Sequence, residues 1–588
     1  MSNPSREFHR CLFSTGVLLS VCGLNISSQA NPAGGTVSQG SASFSSSGAQ
    51  MTIRTSDRAL INWQSFNIGV GQTTTFIQPS STSVVWNRIN DSNPSQILGN
   101  LNANGYVVLQ NSAGFYIGGQ AVINAHGLVM TTAPVTQDIF SGGAWDFSAP
   151  PPTASIINYG QINIGGAGSA FLIAHDIENH GTISAPGGDI GLYAGKDVLI
   201  SERPDGRGLS AHVTLPEGSV DNSGRLIADG GTIALHAQVV NQGGFIQANS
   251  VREVNGQIEL VASDDIHLGS DSVISAKGDS AGNSDGGEVT IKSGGNYSDD
   301  TTSKIDISGG AQRGHGGDLE ISAANLGGIL SQIDGHAAKG FRGGKLVIDP
   351  TDLVLTSAFL NALTPILNAG LYSIDLQADN NITLSTLWNL TDPGAAALLK
   401  LTAGNSIFFN NNSGIRAGQN WSVSLAAGPQ NFSSGQADAG VAGIYLNGNS
   451  YIDALNGNIT LWAANEVIVN SGAVRTRGGG SISVTTLVGD VNSGNNYRGY
   501  TFGQAAAPYY IVNAANLGGI STAAGGDVTI AAGRDVISFL PVESDSQHSD
   551  FDGGSGAFGP QSGNVSIIAG RDVQGHFVLA NGNGSVVA

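Results

Sequence analysis

The stretch GGDIGLYAGKDVLIS, residues 187–201, decides the fold because the chain repeats it in two other places. GGDVTIAAGRDVISF occupies residues 525–539, and SGNVSIIAGRDVQG occupies residues 562–575. In residues 527–532 every second side chain, namely Val528, Ile530 and Ala532, is apolar and projects to one side, as in a strand with one buried face. Such a strand buries little by itself. It needs equivalent neighbours above and below it.

A finer repeat has the form apolar-x-Asn-x-Gly-x-apolar. It occurs as IINYGQI, IENHGTI, VDNSGRL and VVNQGGF, which contain the asparagines Asn158, Asn179, Asn222 and Asn241. Their spacings of 21, 43 and 19 residues indicate a period of about twenty residues with one degenerate copy. Asn bonds neighbouring backbone through its amide, and Gly accepts positive φ, so we predict that each Asn-x-Gly turns the chain between short strands.

These periods predict an all-β fold, a right-handed parallel β-helix with extra-helical loops. Stacked coils of about 20 to 30 residues pair each strand in parallel with its equivalents and join the inward residues into one apolar column. At about 4.8 Å per strand the rod would be on the order of 100 Å long. The composition agrees, because the 588 residues include 85 glycines and only 12% are charged.

Several segments interrupt the repeats. The prolines of FSAPPPTAS, residues 147–155, predict a surface loop. TSAFLNALTPILNAG predicts one short helix capped by Ser357 and terminated by Gly370, and the alternative is an irregular apolar coil around Pro365. Its apolar face would contain Phe359, Leu360, Leu363 and Leu367. Residues 543–556 are predicted to form an acidic exposed loop.

Residues 1–30 have the pattern of a signal peptide. Arg6 and Arg10 precede an apolar run, and SQA ending at Ala30 has the small-x-small form of a cleavage site. A lipoprotein signal at Cys22 is disfavoured because bulky Val21 precedes it. Both cysteines, Cys11 and Cys22, lie in this segment, so the mature chain should contain no thiol.

The mature chain would carry 22 basic against 43 acidic residues, a formal charge of −21. That excess argues against binding to nucleic acid or anionic lipid. No later segment has the roughly 20 apolar residues that an integral membrane helix needs. We therefore predict no integral membrane segment and no nucleic-acid partner.

The first hundred mature residues resemble the filamentous haemagglutinin-type secretion domain of two-partner (type Vb) secretion exoproteins. The matching stretches, in order, are NPAGGTV at residues 31–37, RALINWQSFNIGVGQTTTFIQPSSTSVVWNRI at 58–89, NPSQILGNLNANG at 93–105 and GGQAVINAHGLVMTT at 118–132. The resemblance implies a haemagglutination activity domain that serves as secretion signal and folding nucleus. It also implies that the POTRA domains of an outer-membrane β-barrel transporter recognise the chain in the periplasm, and that the β-helix folds outside.

The resemblance also carries over individual positions as recognition or N-terminal structural residues. These are Asn62, Trp63, Gln64, Phe66, Asn67, Gln78, Pro79, Asn87, Arg88, Asn111 and Gly114. The alternative for Trp63, Phe66 and Trp86 is that they simply cap or fill the first coils. One motif departs from the family: NSAG keeps Asn111 and Gly114 where Asn-Pro-Asn-Gly is common, and still allows a turn.

An enzyme is the rival class, since β-helices also act as polysaccharide-degrading enzymes with carboxylates on one side of neighbouring coils. The candidate carboxylates are Asp264, Asp265, Asp299 and Asp300, although acidic doublets on turns are usually solvated. A metal could be sought at His175, Asp176 and His180, but alternation separates His175 from the other two. Asp550, Asp552 and Gly553 match only part of a calcium loop.

We therefore expect a signal peptide at 1–30, the secretion domain and first coils at 31–280, and further repeats at 281–588 with insertions near 351–372 and 540–560. The predicted function is that of a secreted surface exoprotein or adhesin, without catalysis, cofactor or metal, that binds an unknown cell-surface or matrix ligand. Alternatives are a polysaccharide-degrading enzyme, a haem-carrier-binding exoprotein or a toxin-delivery exoprotein. Its place would be extracellular or cell-surface associated.

Overall fold

Short strands stacked in parallel make up most of the computed structural model of this chain. The structure describes residues 31–134, 145–148, 150–151, 153–195, 197–202, 209–213, 216–252, 254–279, 282–367, 370–428, 441–502, 510–540 and 554–588. The predicted signal peptide and the partial calcium loop at 550–553 lie outside these ranges, as does most of the predicted acidic loop.

The strands of the first part, in chain order, are β1 (Thr36–Gln39), β2 (Ala42–Ser47), β3 (Gln50–Thr55), β4 (Ala59–Trp63), β5 (Thr73–Ile77), β6 (Val84–Ile89), β7 (Ser95–Ile97), β8 (Asn100–Ala103), β9 (Tyr106–Asn111), β10 (Phe115–Ile117), β11 (Val122–Ala125), β12 (Gly127–Thr131), β13 (Trp145–Ser148), β14 (Ser155–Asn158), β15 (Gln161–Ile164), β16 (Ser169–Ala174), β17 (Asp176–Asn179), β18 (Thr182–Ser184), β19 (Asp189–Ala194), β20 (Asp197–Glu202), β21 (Leu209–Val213), β22 (Ser219–Asn222), β23 (Arg225–Ile227), β24 (Thr232–Ala237), β25 (Val239–Gln242), β26 (Phe245–Gln247), β27 (Gln257–Ala262), β28 (Ile266–Leu268), β29 (Val273–Ser275), β30 (Glu288–Asp299), β31 (Lys304–Asp306), β32 (Asp318–Leu326), β33 (Gln332–Asp334), β34 (Lys345–Pro350) and β35 (Leu353–Leu355).

After helix α1 (Ser357–Leu367) the strands are β36 (Ser373–Ala378), β37 (Ile382–Leu384), β38 (Leu387–Leu390), β39 (Ala397–Ala403), β40 (Ile407–Phe409), β41 (Gly414–Ala417), β42 (Trp421–Ala427), β43 (Ile444–Leu446), β44 (Tyr451–Ala454), β45 (Ile459–Ala463), β46 (Val467–Val469), β47 (Ala473–Thr476), β48 (Ile482–Thr486), β49 (Val491–Asn492), β50 (Tyr500–Phe502), β51 (Tyr510–Val512), β52 (Gly519–Ala523), β53 (Val528–Ala532), β54 (Val536–Ile537), β55 (Ser555–Phe558), β56 (Val565–Ala569), β57 (Val573–Gln574), β58 (Phe577–Leu579) and β59 (Gly584–Val587), with a 3-10 turn at Ala514–Asn516 before β52.

The strands stack in three columns along the rod, one strand per coil in each column. Column 1 runs without a break through β4, β6, β9, β12, β16, β19, β24, β27, β30, β32, β34, β36, β39, β42, β45, β48, β53, β56 and β59. At about 4.8 Å per spacing this column is about 90 Å long. Column 2 runs from β7 through the ends of β30 and β32 and resumes from β35 to β57. Column 3 runs from β2 to β33 and resumes from β38 to β58. The predicted parallel β-helix is confirmed.

Alternation places one apolar row of each strand inside the rod. In β53, Val528, Ile530 and Ala532 are buried, whereas Thr529 is exposed, as the pattern predicts. The inward Ile, Val, Leu and Ala side chains of successive coils form one continuous core along the chain. Fully burying each large aliphatic side chain contributes about 1.5–3 kcal/mol, so the stack is stabilised coil by coil.

Helix α1 lies where column 3 is interrupted, between β33 and β38, and it packs on both. The predicted helix is therefore present and Pro365 lies inside it. Its first turn is capped by Thr356, whose Oγ1 accepts the Phe359 N–H at 3.2 Å, so the expected cap at Ser357 is wrong by one residue. The predicted apolar face is buried at Phe359, Leu360 and Leu363; the side chain of Leu367 lies outside the described set. No helix in the described ranges is both long and apolar enough to cross a membrane.

The Asn-x-Gly motifs turn the chain between columns 2 and 3, as predicted, but their asparagines also bond to one another inside the rod. The amide of Asn158 donates to Asn179 Oδ1 at 2.8 Å, Asn179 donates to Asn222 at 2.7 Å, and Asn222 donates to Gln242 Oε1 at 2.6 Å. The fourth residue of this buried amide ladder is therefore Gln242. The expected Asn241 is wrong by one residue, because it points outward and donates to Asp221.

The glycines of these motifs are needed for close approach between coils. A Cβ on Gly181 would lie 2.1 Å from the Gly160 carbonyl oxygen, and one on Gly224 would lie 2.2 Å from that of Gly181. Neither glycine has positive φ. The expectation that Gly supplies positive φ here is therefore wrong; the side chain is excluded by the backbone of the preceding coil.

In all three copies of the long repeat the first half forms a column 1 strand, whereas the second half has different partners in different copies. GGDIGLYA, GGDVTIAA and SGNVSIIA all supply column 1 strands, β19, β53 and β56. In the two C-terminal copies Arg534 bonds Asp490 of the preceding coil, and Arg571 likewise bonds Asp535. In the first copy the segment DVLIS leaves the β-helix as part of β20, which pairs antiparallel with β13 and β21.

The sheet β13–β20–β21 covers the outer face of column 1. Phe147 and Ile200 of this sheet pack on outward residues of the coils, among them Trp86, Val108 and Phe171. Phe147 is fully buried, and its ring stacks on Trp86 with centroids 6.0 Å apart. The predicted surface loop at residues 147–155 is therefore wrong at its start, because an apolar outer face requires a cover.

Candidate functional site

The N-terminal end of the rod is closed by two antiparallel strands. β1 pairs with β4 in column 1, and β2 pairs with β3 in column 3, in contrast to the parallel pairs that follow. Both strands are almost entirely exposed. Residues 31–53 contain no charged side chain. An open β-helix end would expose its core and its strand edges, so this cap completes the first coil.

Beneath the cap lies a chain of aromatic rings. Trp63 contacts Phe44 of β2 edge-on at a centroid distance of 5.5 Å and Phe66 at 5.6 Å. Phe66 stacks on Phe76 at 6.4 Å. Trp63, Phe66 and Phe76 are each at most 1% exposed. The predicted motif residues Trp63 and Phe66 thus fill the first coil, and Trp86 lies on the outer face under β13.

The motif's polar residues tie successive coils together. The Trp63 indole N–H donates to Asn87 Oδ1 at 2.9 Å, and Asn87 Nδ2 donates to the Val108 carbonyl at 3.2 Å. Because Asn87 is fully buried, each of these bonds satisfies a group that water cannot reach. One side chain thereby fixes three consecutive column 1 strands.

Gln78 likewise connects neighbouring coils, at the corner that leads into β6. Its Nε2 donates to the Ser83 and Tyr106 carbonyls at 2.7 and 2.9 Å, and its Oε1 accepts the Gly105 N–H at 3.0 Å. Pro79, the next residue, is exposed. The phenol of Tyr106 on β9 is partly buried, and burial raises its pKa above the ordinary value.

The altered NSAG motif keeps its turn. Asn111 is fully buried; its Oδ1 accepts the Ala113 N–H at 2.9 Å, and its Nδ2 donates to Ser95 Oγ at 2.9 Å. Gly114 has φ of 109°, and a Cβ there would lie 2.7 Å from the Ser155 carbonyl oxygen. Ser112 and Ala113 therefore suffice between an Asn and a Gly that the backbone requires.

The remaining motif positions are at least partly accessible. Asn67 is half-buried and its Oδ1 accepts the Gln96 N–H at 2.7 Å, while Asn62 bonds Ser38 of the cap. Gln64 is exposed. Arg88 is half-buried on β6 and lies between Asn62 and Gln110 in register. The predicted set is therefore divided between buried residues that tie the coils together and accessible side chains at the capped end.

The sequence motifs did not point to three further residues at this end of the rod, Asn31, Gln72 and Thr74. Asn31, the first residue after the predicted cleavage point, is buried with φ of 68°, and its N–H donates to Gln72 Oε1 at 3.1 Å. The buried Thr74 hydroxyl donates to Asn31 Oδ1 at 3.1 Å. The signal that could have found them was the position of Asn31, immediately after the small-x-small site.

The candidate catalytic carboxylates all accept hydrogen bonds from neighbouring coils or turns. Asp264 accepts from Gln238, Asp265 from Asn296, and buried Asp299 from the Ser331 hydroxyl, its N–H and Tyr297. Bonds from the backbone and hydroxyl of Thr302 lower the pKa of Asp300. Each therefore has a structural partner.

The alternation argument is wrong for His175 and Asp176, whose side chains meet although they are neighbours in the chain, while His180 has other partners. His175 Nδ1 contacts Asp176 at 2.8 Å, whereas His180 contacts Glu178 at 3.1 Å and Ser223 at 2.6 Å. Among the residues that the structure describes, no three His, Cys, Asp or Glu side chains are placed to hold a metal ion together.

Comparison with known proteins identifies the N-terminal part of the chain. A family model described as the TPS secretion domain matches residues 28–276. A heme/hemopexin-binding protein of Haemophilus influenzae is 31% identical over 265 residues, covering 42% of this chain and 29% of that protein. A second heme/hemopexin-binding protein of the same species is 37% identical over 112 residues, covering 19% and 12%. The chain thus spans less than a third of the length of these curated relatives.

Among solved structures, the HMW1 secretion domain from Haemophilus influenzae aligns with 92% of this chain and all of its own at 19% identity, with a TM-score of 0.37. The family match and the relatives agree with the motifs of the capped end. Residues 28–276 contain a TPS secretion domain, and the matching relatives support the expected link to two-partner secretion exoproteins.

Proposed function

We propose that the capped N-terminal end is the export signal of this chain and the nucleus from which its β-helix folds. The partner would be an outer-membrane β-barrel transporter whose periplasmic POTRA domains bind the first mature residues. The observation that carries the proposal is the division of the motif. Trp63, Asn87 and Gln78 hold the first coils together, while Gln64 and Arg88 lie where another molecule can contact them.

Folding from this end follows from the stack itself. A coil gains its strand pairs only when a neighbouring coil exists, so the first coil needs a substitute on its open side. β1 and β2 supply it with antiparallel hydrogen bonds and the Phe44–Trp63 contact. The coils would then add one by one along column 1 as the chain leaves the transporter. The family match at 28–276 supports a secretion domain close to the proposed 31–280.

The test is secretion into the medium by cells that contain the cognate transporter. Gln64→Ala with Arg88→Ala changes accessible positions, and we expect reduced secretion while the purified protein keeps its melting temperature. Asn87→Ala is the comparison; it should lower the melting temperature because Trp63 Nε1 and the Val108 carbonyl lose their partner. Normal secretion of the Gln64/Arg88 double variant would exclude these side chains from recognition.

For the exported rod we propose an adhesive role at the cell surface or in an extracellular matrix. A long repetitive surface suits many weak contacts better than one pocket, and such contacts gain strength when they act together. The second candidate is binding of a haem carrier, favoured by the names of the relatives in Haemophilus influenzae. Capture of hemopexin by the purified chain would support that candidate. Adhesion of transporter-equipped cells, lost on deleting the exoprotein, would support the first.

A further inference from the structure

Part of the outer face of column 3 over the first coils carries no charged side chain. It comprises two outward rows on β3, β5, β8, β11, β15 and β18. We call these twelve residues the amide face: Gln50, Thr73, Asn100, Val122, Gln161 and Thr182 in one row, and Thr52, Thr75, Asn102, Asn124, Asn163 and Ser184 in the other. All are partly or fully exposed. With five strand spacings of about 4.8 Å the face is about 24 Å long.

The other two outer faces of the same coils differ in chemistry. Column 1 presents apolar residues such as Trp86 and Phe171, which the sheet β13–β20–β21 covers. Column 2 presents Gln96, Tyr116 and Ile157 on its first strands and then the carboxylates Asp176 and Glu178 on β17. The amide face is therefore both uncovered and free of charge in a chain of formal charge −20. Arg54 is the one charged residue in its six strands.

The side chains of this face are already ordered. Asn124 donates Nδ2 to Asn102 Oδ1 at 2.9 Å, and Asn163 donates to Asn124 at 3.0 Å. A primary amide has two N–H donors and two lone pairs on its oxygen. Asn124 thus keeps one donor and one acceptor for an outside group, in a position that is fixed before any ligand arrives.

We propose that the amide face binds a neutral polysaccharide laid along the rod. Adjacent hydroxyls of a sugar both donate and accept, which matches the donor and acceptor that each laddered amide retains. Anionic polymers are disfavoured by the acidic rod. A protein partner is disfavoured because the face lacks the Trp, Tyr and Arg anchors that dominate protein interfaces. The inference rests on the proposed adhesive role and names its ligand class.

The experiment is co-sedimentation of the purified mature chain with insoluble neutral polysaccharides, using amorphous cellulose, insoluble mannan and starch granules as probes. Carboxymethylated cellulose is the matched anionic probe. We expect retention on at least one neutral polymer and clearly less on the anionic one. Asn102→Asp with Gln161→Glu should weaken that retention about tenfold or more, since hydrogen bonds to the ligand are lost.

The double variant should keep the fold. After Asn102→Asp the new carboxylate can still accept the hydrogen bond from Asn124 Nδ2. The two new charges lie on β8 and β15, and β11 lies between these strands. Asn389→Asp is the control: it makes the same change at an exposed residue of column 3 beyond the face, beside Arg416 in register. Circular dichroism and melting temperature confirm folding of each variant.

Retention on no neutral polymer would overturn the proposal, as would equal loss in the control variant. Retention unaffected by the double variant would place any binding elsewhere. Binding to a protein ligand that the double variant abolishes, without polysaccharide binding, would assign the face to a protein and also overturn it. Because the assay uses purified chain, its failure is distinct from a failure of export or of adhesion by whole cells.

Discussion

Replacing Asn179 with Ala tests whether the buried amide ladder stabilises the coils. Asn179 is fully buried, accepts from Asn158 at 2.8 Å and donates to Asn222 at 2.7 Å. Ala would leave the Asn158 donor and the Asn222 acceptor unpaired, and each such group costs about 1–3 kcal/mol. We expect the local opening free energy around β17 and β22 to fall by about 2–6 kcal/mol.

Hydrogen–deuterium exchange with peptide-level detection measures this locally, which matters because a stacked repeat need not unfold in one step. The expected loss corresponds to amide exchange at least about thirtyfold faster in peptides that contain β17 and β22. Asn163→Ala is the control, because it breaks one ladder bond on the exposed amide face; changes at such sites stay within about 0.5 kcal/mol. Equal effects of the two substitutions would refute the role assigned to the buried ladder.

Three further substitutions test separate features. Gly224→Ala should lower the melting temperature because its Cβ would lie 2.2 Å from the Gly181 carbonyl oxygen, whereas Gly165→Ala meets no atom within 4 Å and should leave it unchanged; similar shifts would contradict the close-approach argument. Burial, with repulsion from Asp379 and Glu320, raises the pKa of Asp349 to about 6. That folded value lies above the unfolded value of about 3.9, so the parent loses stability as pH rises through this window, and Asp349→Asn should melt higher than the parent at pH 8 and equally near pH 4. A gain that is the same at both pH values would show that charge is not its cause. Phe147→Ala should destabilise the cover by about 3–5 kcal/mol and red-shift Trp fluorescence, because Trp86 is 1% exposed beneath it; an unchanged spectrum would contradict that packing.

The repeats predict the β-helix because its inward face needs only a period of two and a recurrent turn. Val528, Ile530 and Ala532 are buried for that reason. Alternation does not predict whether the apolar side of a strand packs inside the coils or on their outer face. Val198 and Ile200 alternate like the coil strands, yet they pack on the outside of column 1. The position of Gln242 was missed because the ladder needs a primary amide at that register, and Gln supplies one as well as Asn.

The motif residues of the secretion domain could be found from sequence, but their separate tasks could not. Asn87 and Gln64 both belong to the motif, although one is fully buried and the other exposed. Only the three-dimensional structure shows that Asn87 accepts from Trp63 while Gln64 lies beside the cap. The amide face could not be predicted from the sequence because its two rows come from six short strands spread over residues 50–184.

The most direct test of the export account is the amount of chain that reaches the medium, measured with and without the cognate transporter. The intact chain is compared with one that lacks residues 31–132 but keeps the signal peptide. The account predicts that secretion needs both the transporter and the N-terminal segment, and that the truncated chain stays in the periplasm. Equal secretion of the truncated chain, or secretion without the transporter, would contradict it.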